Sequence, residues 1–118
     1  MIDQERADRL AAEWIAAWNA HDLDAILAHY AEDVTFFSPF VAPLTGEESG
    51  VIHGRAALRA YFRRGLEAYP DLRFDLHAAL PGVSSVALHY ASVGGRTAIE
   101  TMELDATGAV VRVTAHYS

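Results

Sequence analysis

The stretch Trp14–Pro39, WIAAWNAHDLDAILAHYAEDVTFFSP, decides the fold of this chain. Apolar residues recur every three or four positions and predict a helix over 3–20, with Asp3 as its N-cap. A second, shorter helix is expected over 22–30, capped by Asp22. Residues 34–37 are β-branched or aromatic and predict a short strand that ends at the following Ser-Pro. Two helices and a strand with large aromatics on their apolar side predict the entrance of a cone-shaped domain with a pocket.

The remainder of the chain predicts one more helix and a sheet. Residues 40–53 hold one proline, two glycines and two glutamates, which is typical of a mobile loop, and we expect this loop to be a lid. A third helix is expected from Gly54 to Pro70. Strands are expected over 72–77, 85–93, 96–105 and 110–117, and the short turns between them favour an antiparallel meander.

The predicted fold class is therefore α+β, in a single domain over residues 1–118. Three N-terminal helices pack on a curved antiparallel sheet, which consists of the four-stranded meander and one short strand. Together they enclose a pocket.

Composition excludes several classes of function. Sixteen acids against nine bases give a net charge of -7, which disfavours nucleic acid or an anionic membrane as a partner. Cysteine is absent and all nine bases are arginine, so there is no thiolate nucleophile and no Schiff-base lysine. The six histidines lack metal-binding spacing, and we expect neither a metal nor another cofactor. No signal peptide opens the chain, so we expect a cytoplasmic protein.

Glu100 is the strongest catalytic candidate, because its strand alternation places a carboxyl among apolar residues. It shares a face with Ala98 and Met102, whereas Thr101 takes the polar face. Burial raises the pKa of a carboxyl and suits it to general acid or base catalysis. Two alternatives remain open: the carboxyl lies in a wet pocket mouth, or Arg96 pairs with it.

Further residues are predicted to line the pocket as substrate-binding groups. Most are aromatics that share a face with apolar neighbours, and Ser38 ends the first strand where the pocket should be deepest. The set comprises Trp18, Phe36, Ser38, Phe62, Tyr90, Met102, Val113 and Tyr117. Aromatics at this spacing also fit plain core packing, and Ser38 also fits a residue that hydrogen-bonds its own turn.

Three short motifs carry a family resemblance. With Asn19–Asp24 (NAHDLD), Tyr30–Asp33 (YAED) and His53–Arg55 (HGR), the chain resembles the nuclear-transport-factor-2-like superfamily. Within it, the chain is similar to the SnoaL-like polyketide cyclases and the ketosteroid isomerases. The resemblance implies the cone fold and a homodimer, for which the polar outer face of the sheet is suited. The superfamily holds both catalysts and domains without catalysis, so it does not decide activity.

The resemblance to ketosteroid isomerase fails at the catalytic positions. Its general base corresponds to Ser38, and a hydroxyl cannot by itself take a proton from carbon. Its oxyanion-binding tyrosine corresponds to Trp14, and a supporting tyrosine corresponds to Phe62. Only its neutral carboxylic acid has a counterpart, Glu100. Classical steroid isomerisation is therefore not expected.

These observations lead to two functional hypotheses. In the first, the pocket binds a small, apolar, carbonyl-bearing or polycyclic molecule and supports isomerase or cyclase chemistry. Glu100 is then the acid or base, and Trp14 and Tyr30 donate hydrogen bonds to a developing enolate. In the second, the domain binds a ligand or dimerises without catalysis, which the loss of the base at Ser38 favours. Lyase and hydrolase chemistry also remain open.

Overall fold

Four α-helices and one short 3₁₀ helix (Val93–Gly95) are present in the structure, a computed structural model that describes all 118 residues. The α-helices are α1 (Gln4–Asn19), α2 (Leu23–Leu27), α3 (Val41–Thr45) and α4 (Arg55–Ala68). The two predicted N-caps are confirmed: the Asp3 carboxylate accepts from Arg6 N at 2.8 Å, and that of Asp22 accepts from Ala25 N at 3.1 Å. No helix is both long enough and apolar enough to cross a membrane.

Six strands form one curved sheet. They are β1 (Tyr30–Phe37), β2 (Val51–His53), β3 (Asp75–Pro81), β4 (Ser85–Ala91), β5 (Thr97–Leu104) and β6 (Val110–Tyr117). Their order is β2-β1-β6-β5-β4-β3. Strands β3 to β6 pair antiparallel in succession, which confirms the predicted meander. The sheet is mixed, however, because β1 runs parallel to β6 and antiparallel to β2.

The helices cover the inner face of the sheet and enclose the core. Helix α1 packs against β3, and α4 packs against β1. The end of α1 is tied to the chain before β3 by Asn19, whose amide donates to Phe74 O at 2.9 Å and accepts from Phe74 N at 2.7 Å. These two bonds satisfy backbone groups that no sheet partner reaches, and they fix the Phe74 ring beside α1.

The first strand begins earlier than predicted. Tyr30 was expected at the end of the second helix, but α2 ends at Leu27 and Tyr30 is the first residue of β1. Its backbone pairs with Val110 of β6, and the register then shifts before Thr35 pairs with Arg112. Because β6 pairs with Tyr30 and again with residues 35–37, the short apolar stripe of residues 23–30 does not continue as a helix.

The predicted loop over 40–53 contains regular structure, so the expectation of three helices and one short strand was wrong. Helix α3 ends at Gly46, whose φ of 82° is costly for other residues, and β2 pairs with β1 through Ile52 and Phe36. Val41 is fully buried. The segment is therefore anchored at both ends, and its role as a lid stays a prediction.

The strand predicted over 72–77 is displaced along the chain. Leu72 and Phe74 are buried as expected, but both precede β3, and Leu76 is 38% exposed. A bulge between Leu76 and Ala78 shifts the register, so that Ala79 takes the inward position.

Candidate functional site

A cavity of about 60 Å³ lies between the inner face of the sheet and the helices. Thirteen of the sixteen residues that line it are hydrophobic, so a ligand inside it is bound mainly by apolar contact. Seven of the predicted site residues are in its wall: Trp14, Trp18, Phe36, Phe62, Tyr90, Glu100 and Tyr117.

Glu100 is the one carboxyl in this wall. It lies in the middle of the sheet, opposite Leu88 of β4 and Ala115 of β6, and it is 3% exposed. Its Oε2 accepts a hydrogen bond from the Tyr90 hydroxyl at 2.5 Å. Burial raises the pKa of Glu100 to about 7, although the bond from Tyr90 acts in the opposite direction. The group is therefore able to hold or release a proton near neutral pH.

The environment of Glu100 contradicts both alternatives to a buried carboxyl. Arg96 does not pair with it: the guanidinium donates to Ser118 O at 2.9 Å and lies 5.5 Å from the centre of the Phe40 ring. The low exposure of Glu100 excludes a wet pocket mouth at this position. Strand alternation alone was thus enough to place the side chain.

Three tyrosines surround the carboxyl with hydroxyl groups. Tyr117 adjoins Tyr90 and Ser38, and the Tyr61 hydroxyl donates to Ser38 Oγ at 3.3 Å. Burial, and secondarily the charge of Glu100, raises the pKa of Tyr90 and Tyr117 well above the ordinary value. Burial also raises the pKa of Tyr61 to about 12. All three phenols therefore keep their protons at neutral pH, and those of Tyr90 and Tyr61 are already donated to Glu100 and Ser38.

Trp14 and Tyr30, predicted as donors to an enolate, bind each other. The Trp14 indole Nε1 donates to the Tyr30 hydroxyl at 2.9 Å. Tyr30 is 1% exposed and does not line the cavity. The phenol that hydrogen-bonds to Glu100 is Tyr90. The bond to Tyr30 already engages the Trp14 N–H, and the catalytic role of this pair stays a prediction.

Three predicted substrate-binding residues lie behind the wall. Met102 and Val113 are fully buried and pair with each other across β5 and β6, which makes them core residues. Ser38 Oγ accepts from Phe40 N at 3.2 Å, so this serine does hydrogen-bond its own turn. It reaches the site through its contacts with Tyr61 and Tyr117.

Nine further residues line the cavity and were not predicted from the sequence. They are Phe40, Leu44, Tyr61, Gly65, Tyr69, Leu72, Phe74, Ser92 and Val93. Tyr61, Gly65 and Tyr69 recur at every fourth position on α4, and this spacing could have identified them as one face. The others lie in segments whose course depends on tertiary contacts. Phe40 is an example, since it packs edge-on against Tyr117 with ring centres 4.6 Å apart.

The structure brings together no group of three or more histidine, cysteine or acidic side chains that could hold a metal ion. The His77 and His89 rings, 4.9 Å apart, lie at neighbouring positions of β3 and β4, with His89 on the sheet face opposite the inward-facing Tyr90.

Residues 11–118 match the sequence profile described as the SnoaL-like domain. The chain belongs to the SnoaL-like family. The match covers both the helices and the sheet that build the cavity, and the six-stranded architecture agrees with it.

Solved structures place this SnoaL-like domain among relatives with the same fold. A SnoaL-like protein of unknown function from Burkholderia thailandensis E264 is 45% identical, with a TM-score of 0.95, and the match covers 99% of this chain and 98% of that one. SalBIII, an epoxide hydrolase/cyclase-like enzyme in pyran ring formation in the polyether salinomycin, is 22% identical, with a TM-score of 0.76 and coverage of 100% and 95%. A candidate ketosteroid isomerase from Kribbella flavida DSM 17836 is 24% identical, with a TM-score of 0.74 and coverage of 98% and 80%. The latter two show the fold alone. No curated protein matches the sequence.

The raised pKa of Glu100 makes stability depend on pH in a defined direction. In the unfolded chain the carboxyl ionises at its ordinary pKa of 4.5, whereas in the folded SnoaL-like domain it ionises at about 7. Between these values the folded state binds more protons, so the contribution of Glu100 to stability is complete below pH 4.5 and is lost as the pH rises through 7. The loss amounts to roughly 3 kcal/mol.

We therefore expect the free energy of unfolding of the wild type, relative to that of Glu100→Gln, to fall by this amount between pH 4.5 and 8. Urea denaturation at a series of pH values measures it. Glu103→Gln, on the exposed face of the same strand, serves as the matched control. Its free energy of unfolding should fall with rising pH as that of the wild type does. Parallel curves for the wild type and Glu100→Gln would contradict the buried, neutral carboxyl.

Proposed function

We propose that this SnoaL-like protein is an acid–base catalyst, an isomerase or cyclase, that acts on a small, largely apolar carbonyl compound. The observation that carries the proposal is a solitary carboxyl with a pKa of about 7 in the wall of an otherwise apolar cavity. A base with this pKa is partly ionised at neutral pH and can both take and return a proton.

The chemistry common to both reaction types is proton transfer next to a carbonyl group. The Glu100 carboxylate takes the proton from a carbon adjacent to the carbonyl, and the electron pair of that C–H bond moves to form an enolate. An isomerase then returns the same proton to another carbon of the conjugated system. A cyclase instead lets the enolate carbon attack a second carbonyl carbon, whose oxygen receives the proton from Glu100.

Hydrogen bonds from the neighbouring phenols support this reaction. Tyr90 bonds directly to Glu100 and therefore stabilises the carboxylate form. Tyr117 also lines the cavity and keeps its proton, so its hydroxyl is suited to stabilise the enolate oxygen. We assign this function to Tyr117 in preference to Trp14, whose N–H already donates to Tyr30, and to Tyr30, which does not line the cavity.

The size of the cavity favours the smaller of the predicted substrate classes. A volume of about 60 Å³ is below the range of roughly 300 to 1,000 Å³ that is typical of sites for drug-sized ligands. A compound with one ring therefore suits this cavity better than a polycyclic compound, which needs the walls to move apart.

Replacing Glu100 by Gln should reduce turnover of a small unsaturated ketone by roughly 10²- to 10⁴-fold, because the amide cannot transfer the proton. Turnover is followed by the change in ultraviolet absorbance as the double bond enters or leaves conjugation. The control Glu103→Gln should keep wild-type activity, since this side chain is on the opposite, exposed face of β5. Full activity of Glu100→Gln would remove this residue from the mechanism.

Replacing Tyr90 by Phe should move the pH–rate profile to higher pH. The lost hydrogen bond favours the carboxylate, so without it the pKa of Glu100 rises above about 7. We expect kcat/KM, measured between pH 5 and 10, to reach its alkaline plateau at a higher pH than in the wild type. Tyr69→Phe is the control, because Tyr69 lines the same cavity without a hydrogen bond to Glu100. An unchanged profile for Tyr90→Phe would contradict the proposed coupling.

A ligand-binding protein without catalysis is the second candidate. It is favoured by Ser38, which occupies the position of the general base in ketosteroid isomerase and is engaged by Phe40 N and Tyr61. Such a protein would bind the ketone with saturation but would show no turnover at any pH, and the kinetic measurements above separate it from the catalyst.

We also propose a homodimer through the outer face of the sheet, as the family resemblance implies. Ile99 is 46% exposed there, and it pairs with His89 on one side and with His116 on the other. An exposed aliphatic group among polar neighbours is suited to the centre of such a contact.

Ile99→Asp should therefore shift the protein from dimer to monomer in sedimentation-velocity experiments, because the contact would bury two like charges near its two-fold axis. Val83→Asp is the control: Val83 is equally apolar and 75% exposed, but it lies in the turn between β3 and β4. A monomeric wild type would exclude the proposal.

A further inference from the structure

We propose that the Trp18 indole N–H is a specificity-determining hydrogen-bond donor, which selects ligands with an acceptor oxygen at its end of the cavity. This inference rests on the proposed function in one respect only, namely that the cavity binds a small carbonyl compound. It adds a second polar contact and, with it, a narrower class of substrate.

The two indoles of the cavity wall differ in one contact. Trp14 Nε1 donates to Tyr30 at 2.9 Å. Trp18 Nε1 is equally buried, with the whole residue 6% exposed, but no protein atom accepts its hydrogen bond. It is the one buried side-chain nitrogen or oxygen atom of the protein with no hydrogen-bond partner.

The neighbours of Trp18 explain why no protein acceptor is available. Its ring packs edge-on against Phe62 at 4.8 Å and Trp14 at 6.1 Å, and it lies 5.4 Å from Phe74. None of these side chains carries an acceptor oxygen. A buried donor without an acceptor is costly, and buried polar groups are almost always satisfied. Trp18 lines the cavity, so a ligand oxygen that comes within reach of its Nε1 would remove this cost and would gain affinity from the bond.

The position of Trp18 relative to Glu100 defines the ligand further. The Phe74 ring lies between Trp18 and Tyr90, with ring centres 5.4 and 4.8 Å away, and Tyr90 in turn binds Glu100. The Trp18 N–H and the Tyr90–Glu100 pair are therefore polar points on either side of the Phe74 ring. This arrangement fits a small compound with an oxygen at each end, such as a cyclic diketone, better than a compound with a single carbonyl group.

Cyclohexane-1,4-dione and cyclohexanone are the matched probes, because they differ in one carbonyl group at nearly constant ring size. The protein contains two tryptophans, so a ¹H–¹⁵N spectrum holds two indole signals, which Trp18→Phe and Trp14→Phe assign. With the dione, the Trp18 indole proton should shift downfield as it gains an acceptor. The dissociation constant of the dione, from the same titration, should be roughly two- to tenfold below that of cyclohexanone.

In Trp18→Phe, which keeps an aromatic ring but removes the donor, the two probes should bind with equal affinity. A dione that binds no more tightly than cyclohexanone to the wild type overturns the proposal, as does a Trp18 signal that stays in place. A preference for the dione that survives in Trp18→Phe also overturns it. The shift in the wild type does not depend on how the variant folds. Full turnover by Glu100→Gln would refute the proposed acid–base role of Glu100, but it would not change the binding of the two probes. The failure of one proposal can therefore be distinguished from the failure of the other.

Discussion

The site depends on the hydrogen bond between Tyr90 and Glu100 inside an apolar layer. A carboxyl in such a place is costly when charged, and one phenol at 2.5 Å offsets only part of that cost. The balance between burial and this hydrogen bond sets the pKa of Glu100 near 7. The surrounding sheet must hold both side chains on the same face of adjacent strands, because a register slip of one residue would expose Glu100 on the opposite face.

Most of the fold could be predicted from local patterns. The caps at Asp3 and Asp22, the meander of the last four strands and the inward direction of Glu100 each follow from short-range periodicity. The misses have a common cause, since each depends on a partner distant in the chain. Strand β1 begins at Tyr30 because β6 runs beside it, and β2 exists because β1 offers it an edge.

The candidate site was less predictable for the same reason. Alternation along a strand tells which face a residue takes, but it does not separate cavity wall from core. Met102 and Val113 share the face of Glu100 and yet lie in the packed interior. Tyr30 and Trp14 both point inward, and only the fold reveals that they bind each other. The lack of a hydrogen-bond partner for the Trp18 nitrogen could not be predicted either, because it depends on whether a neighbouring residue offers an acceptor.

The contacts of Arg96 connect Ser118 to the cavity wall. Its guanidinium binds the carbonyl of Ser118 and covers Phe40, which in turn packs on Tyr117. A purification tag fused after Ser118 would therefore emerge close to two residues that line the cavity. Met1, at 99% exposure, offers a more neutral attachment point for immobilisation or labelling.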